Sequence, residues 1–372
     1  MRVLLCSPYN VGSDFVQGGI VMWAQNIVDY YLSLSTDVQL QVAPFDRKAR
    51  ENAIDEGNLL KRAWFGITEY SGAIKNTHKL LNRGNYDVLH LCTSASISLL
   101  KDLIVLKMSK RKRVKTVVHF HFGRIPELAR KGNWEWRLIR RVARLADAAV
   151  TMDLNSFDVL RERGYRNVHY LPNPLAKGVM QRVKTESVSA IRQSRRICFV
   201  GHVIPSKGIF ELVEACKGIK GIRLYVVGKV APDVRGKIEQ LSSGGDWLVL
   251  EGEVSHQKAI QEMLLSSIFV LPSYTEGFPN VILESMACGC AIVTTPVGAI
   301  PEMLDIASET PCGLCCEPRD VDGLRKNIQF FLDNPSEVHR YAERAKTRVN
   351  EMYAIPKIWE QLTVIWRGVI LQ

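Results

Sequence analysis

The sequence of 372 residues has no apolar run of the roughly 18 residues that a membrane-spanning helix needs. Its start, MRVLLCSPYN, is too short and too soon interrupted for a signal peptide, and it is typical of a first strand. It also has no low-complexity segment and no repeat beyond an alternation of strands and helices. With 47% hydrophobic residues, the chain is expected to be a soluble α/β protein of two domains.

Nine cysteines are present, mostly in apolar runs typical of strands and helices, and without a secretion signal they are expected to be reduced thiols. A zinc site is the alternative for the five that lie close in sequence. We disfavour it because one falls in a helix that should be buried, one begins the next strand, and three occupy a strand entry. These five are Cys288, Cys290, Cys312, Cys315 and Cys316.

The formal net charge of +11 is concentrated in one segment, since residues 101–150 carry 14 Lys and Arg against 4 Asp and Glu. Within it, residues 134–150 have apolar residues at helical spacing, with Arg137, Arg140, Arg141 and Arg144 opposite them. A core-packed helix with a solvated basic face explains this pattern. A face over residues 107–144 that docks on anionic lipid explains it equally well. A nucleic-acid site is not expected, because no nucleic-acid-binding module accompanies the charge.

Strand-like and helix-like runs alternate along the chain, which predicts parallel sheets. Six strand-like runs precede Pro172-Asn173-Pro174, and a second series begins near residue 196. We therefore predict a first domain over residues 1–172, a linker over 173–194, a second domain over 195–352 and a final helix over 353–372. Each domain is expected to be a doubly wound, Rossmann-like parallel sheet.

The segment LPSYTEGFPNVILESMACG (271–289) carries the strongest signal. It predicts a helix over about 280–288 that is apolar on nearly every face and therefore buried, yet contains Glu284. The helix begins beyond the end of an apolar strand, where α/β sheets bind ligands, and its N-terminus suits phosphate. Glu284 leans back toward that end and can reach a ribose, and Glu276 in the preceding turn can meet a group on the other side. Together they indicate a nucleotide sugar.

The structural alternative is that Glu284 pairs with an internal arginine or lysine and that Glu276 is a solvated turn residue. Against it, the two acids and their surroundings resemble the E-x7-E signature of the retaining GT-B glycosyltransferases of family 4, also called group 1. The later VGAIPE fits the same pattern. The resemblance implies a GT-B fold, with two Rossmann-like domains facing across a cleft, and a last helix that packs back on the N-terminal domain. It covers residues 201–320 well and the first 172 loosely.

Three further motifs gain a role from the resemblance. Gly18-Gly19 match the glycine-rich N-terminal loop that contacts the donor phosphate or sugar. His121, at the end of a strand and before Gly123, matches a histidine that contacts the transferred sugar, while His119 is expected to be its neighbour. GHVIPSKG (201–208) matches the element that places a lysine, here Lys207, on the diphosphate.

One departure stands out in GHVIPSKG, because the family often has arginine where this chain has His202. Diphosphate binding would then depend more on Lys207, and His202 would make it sensitive to pH. The resemblance implies catalytic roles for His121, Glu276 and Lys207. It implies donor contacts from Gly18, Gly19, Gly201, His202, Lys207, Gly277, Phe278, Asn280, Val281 and Glu284.

No acidic pair of the DxD type lies at a strand end beside the E-x7-E element, and the family fold normally binds diphosphate without metal. No cofactor and no obligatory metal are therefore expected. The predicted function is a retaining, hexosyltransferase-type transfer from a nucleoside-diphosphate sugar to a saccharide, lipid-linked or polysaccharide-precursor acceptor. The predicted location is the cytoplasm, at the inner face of the plasma membrane if the basic segment docks there.

Two other functions remain open. One is a sugar-nucleotide epimerase, a phosphorylase or another enzyme on the GT-B fold, which the E-x7-E string and the lack of a cofactor-lysine motif disfavour. The other is a non-catalytic protein that binds polyanions through residues 107–144. It would bind no nucleotide, and its polyanion binding would weaken steeply with salt.

Overall fold

The structure is a computed structural model that describes residues 1–9, 18–45, 59–188, 190–243 and 245–372, with side chains described from residue 70 onward in the second helix. The chain divides into two compact units. Unit 1 comprises Met1–Pro174 together with Ile355–Gln372, and unit 2 comprises Leu175–Ala354. Each unit contains a six-stranded sheet with every pairing parallel, which confirms the predicted α/β fold class.

The sheet of unit 1 has the strand order β2-β1-β3-β4-β5-β6. Neighbouring strands run parallel because a helix returns the chain after most of them. The described elements, labelled in chain order, are β1 Arg2–Pro8, α1 Gly19–Leu32, β2 Gln39–Phe45, α2 Leu59–Arg83, β3 Val88–Thr93, α3 Ser98–Arg111, β4 Lys115–Phe120, α4 Ile125–Lys131, α5 Trp134–Leu145, β5 Ala148–Thr151, α6 Leu154–Glu162, β6 Val168–Tyr170 and the C-terminal α15 Ile355–Leu371.

The sheet of unit 2 has the order β12-β11-β10-β7-β8-β9. A 3-10 turn, Pro205–Lys207, follows its first strand, and a π-helical turn, Val349–Tyr353, ends the unit. The elements are α7 Lys177–Glu186, β7 Gln193–Val200, α8 Ile209–Cys216, β8 Arg223–Val227, α9 Pro232–Ser242, β9 Leu248–Gly252, α10 His256–Leu265, β10 Ser266–Leu271, α11 Asn280–Cys288, β11 Ala291–Thr294, α12 Ile300–Met303, β12 Leu314–Cys315, α13 Val321–Asp333 and α14 Pro335–Arg348.

Each sheet has a central strand that is buried along its whole length, β3 in unit 1 and β10 in unit 2. Complete burial is expected for parallel sheets that are covered by helices on both faces. It also explains why these strands are continuous apolar runs, with no alternation of polar and apolar residues. The cores contain fully buried aromatic side chains such as Phe120 in unit 1 and Phe199 and Phe269 in unit 2.

The predicted linker 173–194 contains regular structure, because strand β7 begins at Gln193 and residues 177–186 form helix α7. Val179 is its buried side chain, and the helix packs against α10 and α11 of unit 2. With so little apolar surface turned inward, its sequence carries almost no helical periodicity, which is why the pattern did not predict it.

The final helix α15 belongs to unit 1. It packs along α1, β3 and β4, and the indole Nε1 of Trp366 donates a hydrogen bond of 3.0 Å to Nδ1 of His90. Its apolar face, which includes Trp359 and Leu362, is buried. Among the described residues, no helix has the length and apolar character needed to span a membrane.

Candidate functional site

The site is built around the start of helix α11, whose observed bounds, Asn280–Cys288, are those predicted. Ile282, Leu283 and Met286 bury the helix, so its start is fixed at the C-terminal edge of the sheet. The turn before it is held by a loop contact, since the Ala299 amide donates 2.9 Å to the carbonyl of Gly277. Gly298, with φ +60°, allows this approach, because a Cβ there would overlap the carbonyl of Glu276.

Strands β7 and β10 are neighbours in the sheet, although the chain leaves β7 toward β8 and β9 before it returns to β10. The strand order therefore reverses between them. Such a reversal is where open α/β sheets bind ligands, just beyond the carboxyl ends of the strands. The turns after β7 and β10, which carry Lys207 and Glu276, meet at this point.

Glycine makes that meeting possible. Gly208 has φ +70°, and a Cβ on it would overlap the carbonyl oxygen of Pro272, so the two turns approach as closely as their backbones allow. The amide of Tyr274 also donates 2.9 Å to the carbonyl of Ser206. The 3-10 turn that ends at Lys207 is thereby fixed against the turn that leads to Glu276.

Lys207 and Glu276 form an ion pair, with 2.6 Å between Nζ and Oε1. Ser273, fully buried, donates a second hydrogen bond of 2.6 Å to the same oxygen. The side chains of Lys207 and Glu276 are 25% and 9% exposed, so a carboxylate and an ammonium group lie at the reversal point with one edge toward solvent. Together they can bind an anion and hydroxyl groups next to it.

Glu284 lies one turn into α11, with its side chain 12% exposed. Its Oε1 is 2.8 Å from Nε2 of His256, the first residue of α10. The hydrogen bond to Glu284 raises the pKa of His256 above its usual value. Sequence reasoning missed His256; its place just after the end of β9, behind the helix-capping Ser255, was the signal that could have found it.

The remaining predicted residues of unit 2 divide into backbone and side-chain roles. Gly228 lets the turns after β7 and β8 touch, because a Cβ there would overlap the carbonyl of Gly201. His202 is exposed, and Asn280 and Val281 are half-buried at the start of α11. The ring of Phe278 is buried against Tyr353, with centroids 5.9 Å apart, so its side chain packs in the core and its backbone is what the site can use.

In unit 1, Gly18 and Gly19 open helix α1, and the carbonyl of Gly18 accepts a hydrogen bond of 3.1 Å from Met22. Gly18 has φ 91°, which favours glycine, while a Cβ at Gly19 would meet nothing within 4 Å. Both follow β1, beside which the order of the unit 1 sheet also reverses. Residues 10–17, which precede them, lie outside the described residues.

His121 follows β4, and its amide donates 3.0 Å to the carbonyl of Thr93. Its ring packs on Trp23 and on His119, with centroids 4.9 Å and 3.9 Å away. His119 is fully buried, and burial lowers its pKa, which fits its predicted role as a neighbour. The structure thus places His121 in unit 1, and Lys207, Glu276 and Glu284 together in unit 2.

Within the described residues, one group of side chains lies close enough to share a metal ion, with ligand atoms of His90, Cys92 and His119 within 4.8 Å of one another. It does not include the five cysteines considered above. Nδ1 of His90 accepts the hydrogen bond from Trp366, so its Nε2 carries the proton of the neutral ring. That tautomer is unsuited to a metal at Nε2, because a ligating nitrogen must be unprotonated.

The basic segment lies on α3 and α5, which pack against each other. Arg137, Arg140, Arg141 and Arg144 are all exposed, as the helical spacing predicts. Sequence reasoning missed the apolar side chains exposed on the same helices. These are Leu100 and Ile104 of α3, Ile97 directly before α3, and Trp134 at the start of α5, each roughly half exposed.

Two family models match the chain. The model described as "Glycosyl transferases group 1" matches residues 182–348, and the one described as "Glycosyltransferase Family 4" matches residues 17–176. Together they cover the described site residues of both units.

Similar proteins agree with these matches. An MMP alpha-(1->4)-mannosyltransferase of Mycolicibacterium hassiacum is 25% identical over 308 residues, which are 77% of this chain and 72% of that protein. The chain spans about half or less of several other curated relatives. Among solved structures, sucrose-phosphate synthase from Thermosynechococcus elongatus has a TM-score of 0.76 at 18% identity, covering 100% of this chain and 99% of the other. The Anabaena protein Alr3699/HepE, in complex with UDP, has a TM-score of 0.70 at 15% identity, covering 99% and 100%. These structures share the GT-B fold with this chain.

Proposed function

The chain belongs to the group 1 glycosyltransferases, and we propose that it moves a sugar, with retention of anomeric configuration, from a nucleoside-diphosphate sugar to a saccharide acceptor. The observation that carries this proposal is the cluster at the strand-order reversal of unit 2, where Lys207, Glu276 and Glu284 surround the start of α11. A cation and a helix N-terminus suit a diphosphate, and carboxylates suit the hydroxyl groups on either side of it.

Each residue has one role in this proposal. Glu284 accepts hydrogen bonds from ribose, and Lys207 with the amides near Phe278 and Asn280 holds the diphosphate as it leaves. Glu276 binds the sugar, and Lys207, its ion-pair partner, also contacts the incoming phosphate. Donors already aimed at the developing negative charge are the main expected source of rate. The contacts predicted for Gly18, Gly19 and His121 stay predictions.

The test is transfer itself. The protein is incubated with UDP-glucose, UDP-galactose and GDP-mannose in turn, with a panel of saccharide acceptors, and the product is examined by NMR. We expect one donor to be consumed and the new linkage to keep the donor's anomeric configuration. Glu284→Ala should abolish transfer, while Glu239→Ala, at an exposed glutamate of α9, should not. An inverted product would contradict retention, and equal activity in Glu284→Ala would contradict the site.

We further propose that the acceptor is lipid-linked or a polysaccharide precursor and that unit 1 docks on an anionic membrane, at the cytoplasmic face. One face of α3 carries residues that follow one another at steps of three and four, beginning directly before the helix. They are Ile97, Leu100, Ile104, Lys107 and Arg111. Trp134 and three of the arginines are spaced in the same way on α5. Half-exposed apolar side chains beside cations are what an anionic lipid surface binds.

Vesicle flotation tests this docking. We expect binding to vesicles containing phosphatidylglycerol and none to pure phosphatidylcholine. Replacing Arg137, Arg140, Arg141 and Arg144 with glutamine should remove about 1 kcal/mol of binding each. Leu100→Ser with Ile104→Ser should weaken vesicle binding without weakening binding to heparin. The non-catalytic polyanion-binding alternative is favoured if Leu100→Ser with Ile104→Ser weakens binding to vesicles and to heparin equally, or if the wild type binds no nucleotide and transfers no sugar.

A further inference from the structure

Each acid of the E-x7-E element has its own basic partner in unit 2. Glu276 pairs with Lys207 at 2.6 Å, and Glu284 pairs with His256 at 2.8 Å. The two partners differ in one respect, since a lysine stays charged across the physiological range while a histidine is charged only at its lower end. The charge on the partner of Glu284 can therefore change with pH.

The position of His256 makes its pairing informative. It is the first residue of α10, where the positive end of the helix dipole disfavours a cation. Its pKa is nevertheless raised, and the hydrogen bond to Glu284 is the largest cause. The carboxylate, 12% exposed, thus outweighs the cost of burying part of the ring.

The surroundings of His256 contain few competing charges. Helix α10 packs against α7, α11, β7 and β10. From α7, Arg182 acts on His256 unfavourably, but Arg182 is itself paired with Glu186 at 2.9 Å. Helix α11 contributes Glu284, and β10 contributes no charged residue.

Helix α7 also carries Lys177 and Lys184, neither of which is among the groups that shift the pKa of His256. The charged side chains of β7 and Lys258 of α10 have other partners. From β7, Arg196 pairs with Glu262, two turns along α10 from His256, and Arg195 is bonded to the carbonyl of Lys220. Lys258 of α10 also pairs with Glu262, at 2.7 Å. Glu284 is therefore the acid that responds to the charge on His256.

The second oxygen of Glu284 is available for a ligand. Within the described part of the chain, the hydrogen bond from His256 reaches Oε1, and none reaches Oε2. A protonated His256 holds the carboxylate in one orientation and offsets its charge, which otherwise repels a diphosphate. When His256 is neutral, the bond weakens to that of an uncharged donor and the repulsion returns.

We propose that His256 is a positioning residue for the donor: its protonated ring holds Glu284 so that Oε2 accepts a hydrogen bond from the ribose of a nucleoside-diphosphate sugar, and donor binding weakens when the ring loses its proton. This inference rests on the proposed function and adds to it a proton-dependent contact. The difference between a charged and a neutral hydrogen bond predicts a loss of affinity of about three- to tenfold.

The experiment measures the dissociation constant of UDP-glucose, or of GDP-mannose if that is the donor bound, by calorimetry from pH 5.5 to 8.5. A sugar nucleotide is used because its diphosphate is a diester on both sides and keeps its charge over this range. Affinity of the wild type should fall by the stated factor as pH rises. His256→Gln should bind at the weaker level throughout, and His256→Lys should keep tighter binding at high pH, because its cation does not titrate there.

Two further variants distinguish the effect of His256 on donor binding from the effects of other histidines. His202→Gln tests the predicted pH effect of GHVIPSKG, and His339→Gln, at an exposed position of α14, is a matched control. His339→Gln should follow the wild-type pH dependence, and any change in His202→Gln measures the separate effect predicted for that residue. The proposal is overturned if His256→Gln retains that dependence, if the wild type shows none, or if His202→Gln alone abolishes it.

A second measurement does not need the donor. NMR titration of the His256 ring should give a pKa that is lower in Glu284→Gln than in the wild type. If the pair only stabilises the packing of α10 on α11, its removal would change the melting temperature and leave the pH dependence of donor binding unchanged. If no nucleotide sugar binds at any pH, the proposed function fails, and this inference with it. If donor binding is normal but independent of pH, only this inference fails.

Discussion

Replacing Lys207 with methionine should destabilise unit 2 because it leaves Glu276 without its cation. The lost contact is the 2.6 Å ion pair to a carboxylate that is 9% exposed and also bonded to the buried Ser273. Exposed ion pairs contribute about 0.2–1 kcal/mol, and breaking a fully buried pair costs about 3–5 kcal/mol. Lys207, at 25% exposure, lies between these cases, so we expect a loss of about 2 kcal/mol.

Calorimetric unfolding measures this loss. A change of that size should lower the melting temperature of one transition by about 4–8 °C for a unit of this length. The other unit should be unaffected, so only one of the two transitions should shift. Lys346→Met is the matched control in the same unit, because Lys346 pairs with Glu343 at 3.0 Å with both side chains well exposed, and it should change stability by less than about 0.5 kcal/mol.

The double variant separates stability from function. Glu276→Gln removes the charge that needs a partner, so Lys207→Met with Glu276→Gln should regain most of the lost stability while transfer stays abolished. The reasoning is refuted if Lys207→Met is no less stable than Lys346→Met. It is also refuted if Glu276→Gln lowers stability further in the Lys207→Met background.

Two further predictions concern positions away from the charged pair. Gly208→Ala should destabilise unit 2 by more than about 3 kcal/mol or prevent it from folding, because φ is +70° at Gly208 and a Cβ there would overlap Pro272. Gly236→Ala is the control, in the open interior of α9, and it should stabilise by about 0.5–1 kcal/mol. Thermal melts of both variants measure these changes. His90 is buried neutral, with its pKa lowered to about 3 by burial, so the unfolded chain binds its proton first as pH falls. The contribution of this histidine to the free energy of unfolding should therefore be intact above pH 6.5 and fall below it by about 1.4 kcal/mol per pH unit. Urea unfolding at pH 6.5, 5.5 and 4.5 measures this, and stability should decline less steeply in His90→Gln than in the wild type.

Much of the fold followed from local pattern. The strands of both sheets are short apolar runs bounded by turns, and helix 280–288 is a continuous apolar stretch closed by Gly289 in the left-handed region, so their positions depend on neighbouring residues alone. The acids Glu276 and Glu284 stood out because charge within a buried segment is unusual. Lys207 was predicted by resemblance, and the structure brings it to Glu276 although 69 residues separate them in sequence.

The parts that sequence could not give are contacts between distant segments. Glu284 and His256 are 28 residues apart, and nothing in either local pattern specifies that they meet. Phe278 was predicted as a donor contact, but whether an aromatic ring turns to the ligand or to the core depends on packing, here against Tyr353. Likewise, the half-exposed Leu100 and Trp134 follow from how α3 and α5 pack, because spacing alone cannot tell an outward apolar residue from an inward one.

The central claim is that Lys207, Glu276 and Glu284 form the site for the nucleoside diphosphate of a sugar donor. Thermal stability with UDP, GDP, ADP and CMP in turn, with and without magnesium, tests it most directly. We expect one nucleoside diphosphate to stabilise the wild type, by about 2.7 kcal/mol at a hundredfold excess over its Kd, with no need for magnesium. The shift should vanish in Glu284→Ala and persist in Glu239→Ala. No shift with any nucleotide, or an equal shift in Glu284→Ala, would contradict the claim.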